Sequence, residues 1–217
     1  MKAELVGITQ PLGKLASVCL TPEDILVYIA RVSNPQNQEN VGTGSKLLKY
    51  CLDKQHWSVF EGVSATFEIE TSRAIAAQIL RHRSFTFQEF SQRYAAVTSP
   101  SQPIELRVKG STNRQGSLDT TASAYAYTRM DEAVKLSEKV YQELLDEGVA
   151  PESARFVLPL ATSTTLYMTG SLRSWITYFA QRCDAHAQKE HRLLALLMRE
   201  QLAVHFPTLS EALSWNS

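Results

Sequence analysis

Residues 63–70, Val-Ser-Ala-Thr-Phe-Glu-Ile-Glu, alternate strictly between apolar and polar side chains. Val63, Ala65, Phe67 and Ile69 fall on one side, and Ser64, Thr66, Glu68 and Glu70 on the other. That period of two predicts a strand with one buried face. No linker follows it. Thr71 or Ser72 can cap a helix over residues 73–83, Arg-Ala-Ile-Ala-Ala-Gln-Ile-Leu-Arg-His-Arg. A strand feeding straight into a helix calls for a sheet with helices laid on it. It also carries Arg81, His82 and Arg83 to one margin of that sheet.

The remaining elements are consistent with this frame. Residues 4–10 and 162–168 read as further strands. Thr21-Pro22-Glu23-Asp24 opens a helix, with threonine as cap and proline in the first turn. A polar loop over 34–44 precedes a short amphipathic helix over 46–54. Residues 98–121 are rich in Ser, Thr, Pro, Gly and Gln and read as one long loop, the weakest-ordered part of the chain. A helix over 122–147 ends at Gly148, and Pro151-Glu152 starts another. From Ser171 to His205 the pattern is helical, with a break near Asp184, which could cap a second helix. Without internal repeats, 217 residues predict one domain over 1–217.

Charge narrows the function. With 22 basic and 22 acidic residues the net charge is zero, which argues against coating long nucleic acid and leaves room for local basic patches suited to small anions. The three cysteines, Cys19, Cys51 and Cys183, match no zinc spacing and predict a reducing compartment. No run of about eighteen apolar residues is present, and the N-terminus has no apolar signal core. A cytoplasmic protein without a membrane span is expected.

Two polar constellations stand out. In the first, Gln78, Arg81 and His82 are spaced i, i+3, i+4 and would share a helix face; Arg83, Glu89, Ser91, Gln92, Arg93 and Tyr94 follow across an aromatic-rich turn of Phe85, Phe87 and Phe90. Cations at a helix end can simply complement its dipole. Guanidinium groups beside flat apolar rings also suit a ligand with phosphates and planar rings. The second runs from Leu172-Arg173-Ser174 to Arg182-Cys183-Asp184-Ala185-His186-Ala187-Gln188-Lys189-Glu190. Arg173 and Thr177 are one turn apart. Arg182, nine residues after Arg173, points to about the opposite side of a straight helix, so the two arginines address different ligands, different subunits, or separate surface ion pairs. His186 and Glu190 have a metal-compatible spacing but no third ligand. Cys183 is an activated thiolate or a packing residue. No GxGxxG or GxxxxGK[ST] motif occurs, so a nucleotide or flavin site here is not of the Rossmann kind.

Arg-His-Arg, seven residues, then Ser resembles the signature of the flavin-dependent thymidylate synthases. It stands here as Arg81-His82-Arg83 and Ser91, continued by Gln92-Arg93-Tyr94. His56-Trp57-Ser58-Val59-Phe60-Glu61, Ala154-Arg155-Phe156-Val157-Leu158-Pro159-Leu160, Leu172-Arg173-Ser174 and the segment 182–190 resemble further family segments, in the family's order, over residues 56–190. Gln88 stands where the family often has Asn. Thr177 stands where it often has Asn or His against the flavin.

The resemblance implies an α/β (α+β) fold with a central, mostly antiparallel sheet flanked by helices. It implies a homotetramer, an obligate oligomer with active sites shared between subunits. It implies methylation of dUMP with methylene-tetrahydrofolate as carbon donor and FAD reduced by NADPH. Gln78, Arg81, Glu89, Ser91, Gln92, Arg93, Arg155 and Arg182 would hold dUMP. Ser58, Arg81, His82, Arg83, Glu89, Ser171, Arg173 and Thr177 would hold FAD. Arg182 would be catalytic, stabilising the anion at N3 of the uracil, with no enzyme nucleophile and no metal. A relative making a hydroxymethylated pyrimidine nucleotide would carry the same signature. A non-catalytic nucleotide-binding module and a structural oligomer with an ion-pair seam are the readings from other classes.

Overall fold

Four strands, β1 (Lys2–Ile8), β2 (Ser64–Ser72), β3 (Thr86–Glu89) and β6 (Ser163–Ser171), form one sheet in the order β1-β2-β6-β3. The structure, a computed structural model, describes residues 1–99, 101–110 and 116–215. Neighbouring strands of the sheet run antiparallel, because the partner numbers fall as the others rise. Thr9 N–H donates to the Ser64 carbonyl, the Thr66 and Thr169 hydroxyls meet at 2.9 Å, and Tyr167 Oη donates to Glu68 at 2.9 Å. Phe90 N–H donates to the Thr165 carbonyl, and the Thr86 hydroxyl to that of Thr169. Expected alternation is realised in β2: Ala65, Phe67 and Ile69 are buried, and their neighbours are half-exposed.

The helices are α1 (Pro22–Ala30), α2 (Gly44–Asp53), α3 (Arg73–Ile79), α4 (Ala124–Asp146), α5 (Pro151–Ala154), α6 (Leu172–Arg182), α7 (Lys189–Ala203) and α8 (Pro207–Ala212). Thr21 caps α1 in a reciprocal box with Asp24. Ser72 caps α3 and Ser171 caps α6, each accepting from the backbone N–H three residues on. Both caps sit at the last residue of a strand, so β2 and β6 turn directly into helices.

Four local expectations are corrected. α3 ends at Ile79, so Arg81, His82 and Arg83 lie in the turn beyond it and not on a helix face. The aromatic-rich turn contains a strand, β3, because it pairs with β6. The loop 98–121 holds an antiparallel pair, β4 (Arg107–Lys109) and β5 (Ser117–Thr121); residues 100 and 111–115 of it lie outside the described set. The long C-terminal helix does break after Arg182, but Asp184 caps nothing. Its carboxylate accepts from the His186 backbone N–H and faces the His186 ring, and α7 starts after Gln188.

By contact the chain divides into two compact units. One comprises Met1, Glu70–Arg81 and Glu89–Leu166, the other Lys2–Ile69, His82–Gln88 and Tyr167–Ser217. The first is centred on Ile75, Ile79, Tyr141, Ala154 and Leu166, all buried; Tyr141 Oη accepts from Val97 N–H. The second has an aromatic centre. Phe67, Phe85 and Phe179 surround Trp175 at ring separations of 5.0, 4.7 and 5.6 Å, and Trp175 Nε1 donates to the Ala65 carbonyl. Gly170 lets Phe85 approach, since a Cβ there would lie 2.4 Å from the ring. Within this unit α7 packs on β1. Gln201 accepts from Leu5 N–H and donates to the Ala3 carbonyl, which occupies an edge-strand hydrogen-bonding row that would otherwise be unpaired. No helix among the described residues is long and apolar enough to cross a membrane.

Candidate active site

In the first unit the polar groups gather around Glu89 and a pocket. Glu89 closes β3. Its Oε1 accepts from Arg73 Nη1 at 2.6 Å and from Thr164 Oγ1 at 2.9 Å. Arg73 is the first residue of α3, and its N–H donates to the Thr162 carbonyl at 2.9 Å. Arg73 was not among the expected site residues. A signal for it existed: an arginine in a helix's first turn opposes the macrodipole, and α3 has no acidic residue there, so the side chain needs another partner. Arg73, Gln92 and Arg155 then line a pocket of about 340 Å³ with an apolar wall from Phe156, Leu158, Pro159 and Leu160. Gln92 is 6% exposed, and its Nε2 has no hydrogen-bond partner. A buried unpaired donor of this kind costs about 1–3 kcal/mol unless a ligand supplies an acceptor. Arg93 lies over the Tyr94 ring at 5.0 Å and close to Glu152. Tyr94, Phe156, Arg81 and Arg93 are exposed; Gln78 and Ser91 are half-buried.

In the second unit Arg182 is half-buried, and its Nε donates to His82 Nε2 at 2.9 Å. The imidazole therefore carries its proton on Nδ1. Its ring packs edge-on against Tyr178, whose hydroxyl meets His191 Nε2 at 3.0 Å. Burial, then the Arg182 charge, lowers the His82 pKa to about 4; burial, Arg182 and His82 lower that of His191 to about 3. Both imidazoles are neutral near pH 7, and neither opposes the Arg182 charge. Arg173 pairs with Glu61 at 3.0 Å on the turn that carries the exposed Ser58. Thr177 spends its hydroxyl proton on the Arg173 carbonyl. Arg83 is exposed. Ser58, Arg83, Ser171 and Arg173 are hydroxyl and guanidinium groups that can donate hydrogen bonds, the chemistry that a pyrophosphate requires of its ligands.

Burial pushes the Cys183 thiol up and Arg182 is not among the groups shifting it, which argues against an activated thiolate. Among the described residues no group of three His, Cys, Asp or Glu could hold a metal.

The histidines imply a pH dependence. Both folded pKa values are depressed below the usual 6.5. As pH falls through 6.5 the unfolded chain takes up protons that the fold refuses until about 4 and about 3. Stability is therefore full above 6.5 and is lost on acidification. The urea midpoint should fall between pH 7.5 and pH 5 by an amount equivalent to ~2 kcal/mol, discounted for the partial exposure of His82. A midpoint that is flat or rises over that window would contradict this.

Known proteins resemble this chain over most of its length. The sequence profile of the family described as thymidylate synthase complementing protein matches residues 14–208. A probable flavin-dependent thymidylate synthase of Paramecium bursaria Chlorella virus 1 is 45% identical over 218 residues, covering 99% of this chain and 100% of the relative. A flavin-dependent thymidylate synthase of Synechocystis sp. is 47% identical with the same coverage. Among solved structures, the UMP/dUMP methylase PolB from Streptomyces cacaoi bound with 5-Br dUMP superposes with a TM-score of 0.82 at 28% identity, over 98% of this chain and 94% of that one.

Proposed function

This chain belongs to the thymidylate synthase complementing protein family, the flavin-dependent thymidylate synthases, and on that premise we propose that it methylates dUMP to dTMP. The observation that carries the reading is the Arg182–His82 bond: an always-charged guanidinium, half-buried and oriented by a neutral imidazole. Such a group can stabilise charge that appears on an adjacent ring.

In the reaction, methylene-tetrahydrofolate gives one carbon to C5 of the uracil and C5 loses its proton. The bond from the methylene to the folate nitrogen breaks, a net hydride turns the methylene into methyl, and tetrahydrofolate and NADP⁺ are the by-products. FAD, when bound and reduced by NADPH, would supply the chemistry of hydride transfer. Arg182 stabilises negative charge at N3, which raises electron density at C5. Gln92 and Arg155 donate to the phosphate, with Arg81, Arg93, Ser91 and Gln78 completing the nucleotide contacts. Glu89 accepts from a sugar hydroxyl. Ser58, His82, Arg83, Ser171 and Arg173 would hold the flavin, together with Arg81 and Glu89. Thr177 donates its hydroxyl proton to the Arg173 carbonyl, so toward the flavin it would act as an acceptor. Neither Ser91 nor Cys183 acts as a nucleophile.

The chain works as one functional domain over 1–217 in the cytoplasm, in a homotetramer whose subunits complete each other's sites. The outward-facing Arg81, Arg83, Tyr94 and Phe156 support that reading, because flat rings and cations left in solvent suit a surface finished by another copy. The relatives' names favour a methylated over a hydroxymethylated product. The test is the visible spectrum of the purified protein with FAD, followed on NADPH addition, with light scattering on the same sample. A yellow tetramer that bleaches with NADPH is expected. A colourless protein after FAD addition, or a monomer with bound and active flavin, would contradict it.

A further inference from the structure

We infer that His191 is a positioning residue for Arg182: its hydrogen bond to the Tyr178 hydroxyl clamps α7 onto α6 beside the His82–Arg182 bond, and so fixes where the guanidinium points. The inference rests on the reading that Arg182 acts on the uracil ring.

The place of Arg182 in the fold creates the need. Arg182 is the last residue of α6, residues 183–188 beyond it are not helical, and α7 starts at Lys189. A helix end frays unless something holds it. Here the end is held from two sides. His82 accepts from Arg182 Nε at 2.9 Å. One turn before Arg182, Tyr178 Oη meets Nε2 of His191, in the first turn of α7, at 3.0 Å. That bond spans the non-helical segment and joins residues 13 positions apart. The two contacts also touch each other, since the Tyr178 ring stands edge-on to His82 at 4.9 Å.

A buried polar pair needs a reason in this aromatic cluster. Tyr178 and His191 are 1% and 0% exposed, and Trp175, Phe179 and Phe85 surround the Tyr178 ring. Apolar side chains would pack there with no polar group to satisfy. What they would not provide is a directional bond. The direction follows from the surroundings. His191 stands in the first turn of a helix, where the dipole disfavours an imidazolium, and burial and the Arg182 charge lower its pKa to about 3. A neutral Nε2 can accept the phenol proton. The reverse arrangement would leave that proton buried without an acceptor, because Tyr178 has no other hydrogen-bond partner among the described residues. Donation to His191 also leaves the phenol oxygen with only lone pairs for the Arg182 charge that acts on it.

Three variants of the flavin-loaded protein test this, each read as the ratio of dTMP formation at saturating dUMP to flavin reduction by NADPH. Tyr178→Phe removes only the hydroxyl, and His191→Leu removes the acceptor at similar volume. Both should lower the ratio roughly tenfold, because a displaced guanidinium harms only the step that uses it. His191→Gln carries an amide oxygen that can accept the phenol proton and should stay within about threefold of the parent. A pair that served packing alone would change the melting temperature and leave the ratio where it was. An unchanged ratio in folded Tyr178→Phe would overturn the inference, as would His191→Gln impaired as deeply as Tyr178→Phe; these two variants decide the matter if His191→Leu does not fold. Arg182→Ala is run alongside. If it forms dTMP at near the parent rate, the reading of Arg182 fails and takes this inference with it; if it is impaired and the Tyr178 and His191 variants are not, only the role of His191 falls.

Discussion

Replacing Arg182 by alanine is expected to slow dTMP formation roughly a hundredfold to a thousandfold while flavin reduction by NADPH proceeds at near the parent rate. Reducing the flavin needs no ionised uracil, so a residue acting at N3 should leave it untouched apart from any stimulation by bound dUMP. The structure adds a reason why lysine should rescue poorly. Arg182 is held through its Nε, which donates to His82, and lysine has a methylene carbon at that position on its stem, which cannot donate. Arg182→Lys would carry the charge without the tether. Paired assays, flavin bleaching and dTMP formed, decide the matter. Near-parent dTMP formation in Arg182→Ala would mean that another group polarises the uracil.

Truncating Phe85 to alanine should cost about 3–5 kcal/mol, a drop in melting temperature on the order of 10 °C. Phe85 is buried, packs on Trp175 at 4.7 Å and Tyr178 at 5.8 Å, and fills the space that Gly170 leaves open. It also stands edge-on to His82, so the cavity opens beside the imidazole that orients Arg182. Activity per folded molecule should therefore fall together with stability. Phe85→Leu, closer in volume, should cost less than half as much. Thermal unfolding with dTMP assays at a permissive temperature measures both; a loss below 1 kcal/mol in Phe85→Ala would show that the aromatic cluster can close over the gap.

The parts of the fold governed by local pattern were legible in the sequence. The alternation over 63–70 became β2, and the caps at Thr21 and Ser72 formed. What was not legible depended on distant partners. Leu80, Arg81 and His82 have adequate helix propensity, yet α3 stops at Ile79 and the chain turns to pair β3 with β6. β3 is only four residues long and reads as a turn without its neighbour. Val108 and Leu118 sit among polar residues, so β4 and β5 show little local alternation, although they pair. Asp184 had the residue type of a cap but committed its carboxylate to His186. The candidate site divides in the same way. The family segments pointed to Gln92, Arg155 and Arg182, but the His82–Arg182 bond joins residues 100 positions apart, and the Arg73–Glu89 pair joins the start of α3 to the end of β3.

The most direct measurement is the mass of the nucleotide product. The flavin-loaded protein is incubated with dUMP, methylene-tetrahydrofolate and NADPH, and the nucleotides are analysed by mass. The expected product is dTMP, heavier than dUMP by one CH₂, and none should form when FAD or NADPH is withheld. A product heavier by CH₂O, or unchanged dUMP with fully reduced flavin, would contradict it.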